Sequence, residues 1–130
     1  MTRPEKRLQD VQARAINERI IEYGLRRGLL DALHLSYQPA QDGSLIIYVP
    51  RHRGHWRIQP PGVGDPSAIR VIAHGDDGHR QVGMVTVALS WDTTATDWIL
   101  SRGSEEIAAE VWKAMALLAR DAGWLVPAAA

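Results

Sequence analysis

Two short segments of this sequence hold most of the side chains that could recognise a ligand or bind a metal ion. The first runs Arg51-His52-Arg53-Gly54-His55-Trp56-Arg57, and the second runs His74-Gly75-Asp76-Asp77-Gly78-His79. Guanidinium groups bind phosphates and carboxylates, and a flat indole ring stacks on bases or packs at a protein interface. The first segment therefore predicts a surface that binds a protein partner or a nucleic acid, formed by Arg51, His52, Arg53, His55, Trp56 and Arg57.

The second segment offers metal ligands. Imidazole and carboxylate groups are accepted by zinc, iron and manganese, and four of them fall within six residues: His74, Asp76, Asp77 and His79. His52 and His55 could complete the shell from the first segment. The spacing matches no standard metal motif, however, and side chains on a tight turn diverge. A metal-dependent enzyme is therefore the third alternative, and we otherwise expect no cofactor.

A simpler interpretation covers the same residues. Residues at hairpin tips are usually polar because they are exposed to solvent, and Asp-Asp-Gly is a common sequence in turns. Oppositely charged tips also attract each other weakly, since an exposed ion pair contributes under about 1 kcal/mol. This interpretation requires no binding function at all.

Other catalytic signatures are missing from the sequence. Gly62-Val63-Gly64 lacks the Gly-Lys-Ser/Thr that follows in a phosphate-binding loop, and there is no Gly-x-Ser-x-Gly or His-Glu-x-x-His motif. Cysteine is absent, which excludes disulfides and thiol catalysis. The sequence therefore favours binding over catalysis.

The first element that must position these residues is a helix. Apolar residues recur at helical spacing from about Pro4 to about Leu33, with Pro4 suited to the first turn. Gly24 and Gly28 weaken this helix by about 1 kcal/mol each relative to alanine, so a break near Gly24 is an alternative. Such a break would allow a helix-turn-helix over residues 13–33, with the two arginines at 26 and 27 reading bases.

The middle of the chain changes to the alternating pattern of strands. Residues 60–66 are rich in proline and glycine and predict a loop. Thr93–Leu100 fits either an edge strand or a helical turn. Four to six antiparallel strands are expected. The clearest is Leu45–Val49, others fall at Trp56–Gln59, Ile69–His74 and Arg80–Trp91, and the alternating segment Leu33–Tyr37 is a candidate for a short one.

The last element is a second helix. Ser104 is a good N-cap, Glu105 and Glu106 suit the positive end of the helix dipole, and Gly123 is a natural stop. Helix, strands, then helix predict an α+β fold, with both helices packed on one face of an antiparallel meander. In a meander alternate turns lie at the same end, so the two charged tips should be neighbours. We expect one domain spanning residues 1–130.

Composition sets the remaining expectations. The chain has 130 residues with 45% hydrophobic and 23% charged side chains and zero net charge. Zero net charge disfavours bulk attraction to nucleic acid, which places a protein partner ahead. The beginning of the chain lacks the apolar region of a secretory signal, and no apolar run is long enough to span a bilayer, so we expect a cytoplasmic protein without a membrane partner.

These observations lead to an ordered set of functional hypotheses. The first is a small non-enzymatic protein-binding module, of the adaptor, chaperone, immunity or inhibitor type, which acts through the charged hairpin end of the sheet. The alternative is a nucleic-acid-binding module that uses the basic Arg51–Arg57 hairpin, followed by the metal-dependent enzyme. Self-association into a homo-oligomer stays open.

Overall fold

The computed structural model describes residues 4–49, 53–61, 68–75, 79–88 and 104–124. The segment Thr93–Leu100, whose prediction was ambiguous, lies outside them. The elements in chain order are α1 (Pro4–Arg26), α2 (Leu29–Ala32), β1 (Ser36–Pro39), β2 (Leu45–Val49), β3 (Gly54–Gln59), β4 (Ala68–Gly75), β5 (Arg80–Ala88) and α3 (Ser104–Asp121).

The sheet is a simple meander. Its five strands lie in the order β1-β2-β3-β4-β5, and every neighbouring pair is antiparallel. One register irregularity occurs between Ala73 and His74, where Val82 has no partner opposite it. The α+β fold with terminal helices packed against an antiparallel meander is confirmed. The turn after β2 and the turn after β4 therefore belong to the same end of the sheet.

The core lies between the helices and one face of the sheet. Strand residues alternate, so that every second side chain of β2 and β3 is buried. Two tryptophans join the layers: Trp56 Nε1 donates a hydrogen bond to the carbonyl of Met115 at 3.1 Å, and Trp112 Nε1 donates to the carbonyl of Ile20 at 2.9 Å. Both indoles are buried with their polar atom paired, as tryptophan burial requires.

The first helix ends earlier than its periodicity predicts. α1 stops at Arg26, and Gly28 has φ of 68°, in the left-handed region that favours glycine. The alternative of a break near Gly24 is wrong, because α1 continues through that residue to Arg26. Trp112 packs directly over Gly24, so that a Cβ there would lie 2.5 Å from Cζ2 of the ring. Gly24 therefore serves close helix packing, and Gly28 serves the turn.

The helix-turn-helix alternative fails on length. α2 has four residues, barely one turn, and cannot supply the recognition helix that the motif inserts into a groove. Arg26 is also engaged elsewhere, since its guanidinium lies 3.0 Å from the carboxylate of Glu105 on α3. The segment after α1 thus reverses the chain into the sheet.

The end of α3 matches the sequence prediction. Gly123 has φ of 79°, its N–H donates to Arg120 O at 3.1 Å, and the N–H of Trp124 donates to Ala119 O at 2.7 Å. This bond pair is a Schellman motif, with glycine in the left-handed position. It aims Trp124 back at the core, where its ring meets Trp56 edge-on with centroids 5.4 Å apart.

Candidate functional site

The candidate site is the face of the sheet that points away from the core, called the outer face below. Strand alternation and register place on it the side chains that do not join the helix-facing core. Its described members are Ser36, Gln38, Ile46, Tyr48, His55, Arg57, Gln59, Ala68, Arg70, Ile72, His74, Gln81, Met84 and Thr86. No aspartate or glutamate stands among them.

A row of rings crosses the hairpin end of the outer face. His55 and His74 are directly opposite each other on β3 and β4, and their rings stack with centroids 4.8 Å apart and planes 20° apart. Tyr48 on β2 continues the row, with its ring centroid 5.7 Å from that of His55 and tilted by 54°. The meander therefore brings together one histidine from each charged segment.

Burial and positive charge keep this histidine pair neutral. The pKa of His55 is lowered below its ordinary value of 6.5 by burial first, and then by the charges of His74 and Arg57. The pKa of His74 is lowered by burial and then by Arg57. Both rings are therefore mainly uncharged at pH 7, and a negative group placed beside them would favour their protonation.

Arg57 lies at the centre of the outer face, between Ile46 and Ile72 in the register. Its Nη2 atom is 3.7 Å from Oδ2 of Asp42, which belongs to the turn after β1. Burial raises the pKa of Asp42, but hydrogen bonding to Ser44, whose backbone N–H donates at 2.9 Å, and the charge of Arg57 leave that pKa below its ordinary value. Asp42 is thus a carboxylate that holds one side of the guanidinium.

Two buried polar atoms of the outer face find no hydrogen-bond partner among the described residues. Arg57 Nε and Gln59 Oε1 are buried and have no hydrogen-bond partner within the described part of the chain. A buried donor or acceptor left unpaired costs about 1–3 kcal/mol, so folded proteins contain few. The two atoms belong to side chains two residues apart on one face of β3.

Trp56 corrects the sequence prediction. Its ring is only 1% exposed, faces the core and bonds to Met115, so it cannot stack on a partner beside the arginines. The reason is the two-residue period of a strand, which sends the side chains of Trp56 and Arg57 to opposite faces. Tyr48 provides the outer-face ring instead. The sequence of β2 could not have identified it, because all five residues of Leu45–Val49 are apolar or aromatic and show no alternation with polar residues.

The other predicted recognition residues divide between described and undescribed segments. Arg53 is exposed just before β3 and has a left-handed backbone with φ of 52°. His55 and Arg57 are half-buried on the outer face. Arg51 and His52 lie outside the described residues.

The predicted metal ligands divide in the same way. His74 is half-buried in the histidine stack, and His79 is exposed at the start of β5. Asp76 and Asp77 lie outside the described residues. Within the described ranges, no three His, Asp, Glu or Cys side chains are grouped so that they could hold a metal ion. The four-residue metal site stays a prediction.

Comparisons with family models, with curated proteins and with solved structures found no match to this chain. In the segments that the structure describes, no helix has the length and apolar character to cross a bilayer.

Proposed function

We propose that this protein is a small non-enzymatic protein-binding module, of the adaptor, chaperone, immunity or inhibitor type. Its outer face, from the histidine pair at the hairpin end of the sheet to Arg70 towards the opposite end, binds an acidic segment of a partner protein. The observation that carries this proposal is the charge pattern: Arg57 and Arg70 share a face with the uncharged but titratable His55–His74 pair, and its described members include no carboxylate, although Asp42 in the turn after β1 pairs with one side of Arg57. The chain as a whole has zero net charge, so this surplus is local.

The chemistry of the face supports a protein partner. Its central row holds apolar side chains beside Arg57, with Met84 49% exposed, and polar side chains lie on both sides of that row. An apolar centre with a polar rim is the usual composition of a protein interface, and arginine is enriched there. Carboxylates of a partner would pair with the arginines and favour protonation of the histidines.

The same geometry weakens the nucleic-acid alternative. Stacking on bases needs an accessible ring face, but Trp56 is buried, and the His55 ring lies between those of Tyr48 and His74. Zero net charge also provides no long-range attraction to a polyanion. The arginines remain the only feature of the described outer face that favours phosphate.

The test is partner capture with matched variants. The immobilised protein is incubated with nuclease-treated extract of its native source, and retained proteins are quantified. We expect a partner that is lost with Arg70→Glu and with Met84→Glu, because both substitutions place negative charge on the outer face. Leu117→Glu is the control, since Leu117 is 43% exposed but belongs to α3. A partner retained equally by all three variants would refute this assignment.

A second measurement separates the two macromolecule classes. Fluorescence anisotropy is recorded with a labelled glutamate-rich peptide and with a labelled single-stranded oligonucleotide. We expect the peptide to bind and the oligonucleotide to stay free. Oligonucleotide binding that is lost by about 0.2 M salt and with Arg70→Glu would transfer the assignment to nucleic-acid binding, because phosphate contacts are strongly salt-dependent.

A further inference from the structure

Asp42 is a carboxylate of the chain itself that lies beside the arginine at the centre of the outer face. Its Oδ2 atom is 3.7 Å from Nη2 of Arg57, a separation within the range of an ion pair but longer than a hydrogen bond. The Asp42 side chain is 42% exposed and that of Arg57 is 30% exposed. A carboxylate of a partner protein can therefore approach the same guanidinium that Asp42 already partly neutralises.

The turn between β1 and β2 fixes the position of this carboxylate. Oδ1 of Asp42 accepts a hydrogen bond from the backbone N–H of Ser44 at 2.9 Å, which is the pattern of an Asx turn and leaves Oδ2 for Arg57. The turn is also tied to α1, because Nδ2 of Asn17 donates a hydrogen bond to the carbonyl of Gly43 at 3.0 Å. The backbone thus places Asp42 beside Arg57, whereas many surface ion pairs depend on two flexible side chains.

The surroundings of Arg57 strengthen the effect of this charge. Arg57 lies between Ile46 and Ile72 in the register, and Ile72 is 8% exposed. Apolar neighbours lower the local dielectric constant, which strengthens the interaction between two charges. Burial raises the pKa of Asp42, but hydrogen bonding to Ser44 and the charge of Arg57 leave that pKa below its ordinary value. Asp42 is therefore ionised at pH 7.

The second arginine of the outer face is in a different situation. Arg70 lies opposite Gln59 on the neighbouring strand. The ion pairs found among the described residues include Arg57 with Asp42, but none of them includes Arg70. An acidic partner segment would thus meet one arginine that is already paired and one that is not.

We propose that Asp42 is an internal competitor for Arg57, which lowers the affinity of the outer face for acidic segments. This inference rests on the function proposed above. A partner carboxylate that reaches Arg57 meets a guanidinium whose charge is partly compensated, and it is repelled by Asp42 at the same time. The contact is therefore autoinhibitory: the chain supplies a weak substitute for the group that its partner brings.

Asp42→Asn tests this role, because the amide oxygen can still accept the hydrogen bond from Ser44 while the charge is removed. Fluorescence anisotropy is recorded at low salt with the labelled glutamate-rich peptide. We expect the variant to bind the peptide about three- to fivefold more tightly than the unmodified protein. The gain should shrink at about 0.5 M salt, since salt screens exposed charges.

Glu110→Gln is the matched control. It makes the same exchange of acid for amide at an exposed position of α3, which packs on the other face of the sheet, so the affinity should not change. Urea unfolding of Asp42→Asn checks the fold, and the midpoint should stay close to that of the unmodified protein because the turn keeps its hydrogen bond.

A double-mutant cycle tests whether Asp42 acts through Arg57. Arg57→Gln should weaken peptide binding, and the addition of Asp42→Asn to that variant should then give little further change. A gain of the same size in both backgrounds would mean general repulsion and would overturn the competition.

The outcomes also separate this inference from the function on which it rests. Peptide binding by the unmodified protein that is equal or weaker in Asp42→Asn would refute the competition alone, because Asp42 would then be neutral or would orient Arg57 for the partner. Failure of both proteins to bind the peptide would refute the proposed acidic partner, and the competition with it.

Discussion

The imidazole rings of His55 and His74 stack across β3 and β4 with their centroids 4.8 Å apart. Each ring is half-buried, and Arg57 lies close enough to disfavour a positive charge on either one. The pair is stable in this geometry only while at least one ring stays neutral, because two imidazolium ions at this separation repel each other. The hairpin end of the sheet therefore carries a built-in sensitivity to acid.

This stack predicts that folding stability falls as the pH drops below 6.5. In the unfolded chain both imidazoles titrate near 6.5, whereas both pKa values are lower in the folded protein. The unfolded state therefore binds more protons in this window. The contribution of the pair to the free energy of unfolding is fully present above 6.5 and is lost as the pH falls from 6.5 through the lower folded pKa values. Urea unfolding at a series of pH values measures the effect.

Two variants isolate the contribution of the stack. His74→Gln removes one ring and should flatten the pH dependence of the unfolding free energy between about pH 7.5 and 5.5. His79→Gln should leave that dependence unchanged, because His79 is exposed and outside the stack. Identical slopes for the unmodified protein and His74→Gln would show that other groups cause the pH dependence.

Gly24→Ala should destabilise the protein although alanine is the better helix former. The added Cβ would lie 2.5 Å from the Trp112 ring, and overpacking of this kind typically costs about 1–3 kcal/mol. Chemical denaturation measures the change. Trp112→Leu removes the ring atoms that the new Cβ would meet. In that background Gly24→Ala should therefore lower the free energy of unfolding less than it does in the unmodified protein, or raise it. Simple additivity of the two substitutions would argue against the close approach of α1 and α3.

His34→Gly should stabilise the protein slightly. His34 has φ of 53° at the end of α2, where its N–H bonds to Asp31 O and the next N–H bonds to Leu30 O. Glycine adopts this left-handed conformation without strain, so we expect a gain of about 0.5 kcal/mol and a rise of about 2 °C in melting temperature.

The matched control reverses this exchange at the end of α3. Gly123 has φ of 79° and open space around its Cβ direction, so Gly123→Ala tests backbone strain alone. This substitution should lower the free energy of unfolding by about 1 kcal/mol. Calorimetry on both variants checks the pair, and a loss of stability in His34→Gly would mean that the imidazole makes contacts worth more than the strain.

Trp56→Phe should lower the free energy of unfolding by about 2–3 kcal/mol, because the ring is smaller and the hydrogen bond to Met115 is lost. Trp124→Phe removes a similar volume from the neighbouring ring, but the described residues show no hydrogen bond from its indole. The loss in the free energy of unfolding should therefore be about 1 kcal/mol smaller than for Trp56→Phe. Denaturation midpoints of the two variants give the comparison. Equal losses would assign the effect to ring volume alone.

Local chemistry in the sequence was sufficient for most of the elements. Leu45–Val49 was predicted with its observed bounds because it is a continuous run of apolar, mostly β-branched and aromatic residues between turn residues, and Gly123 was identified because glycine is the residue type best suited to a helix stop. The two glycines of the first helix could not be told apart by propensity. Gly24 remains helical because a distant tryptophan packs on it, and Gly28 alone takes the left-handed turn.

The candidate site shows the same division. The sequence by itself determined that Trp56 and Arg57 point to opposite faces, since side chains alternate along any strand, and the meander order brought the segments of His55 and His74 together. Only the tertiary structure decided which face receives the helices, because that choice depends on contacts such as the one between Trp56 and Met115, 59 residues apart. For that reason the buried ring is Trp56, and the outer-face ring is Tyr48.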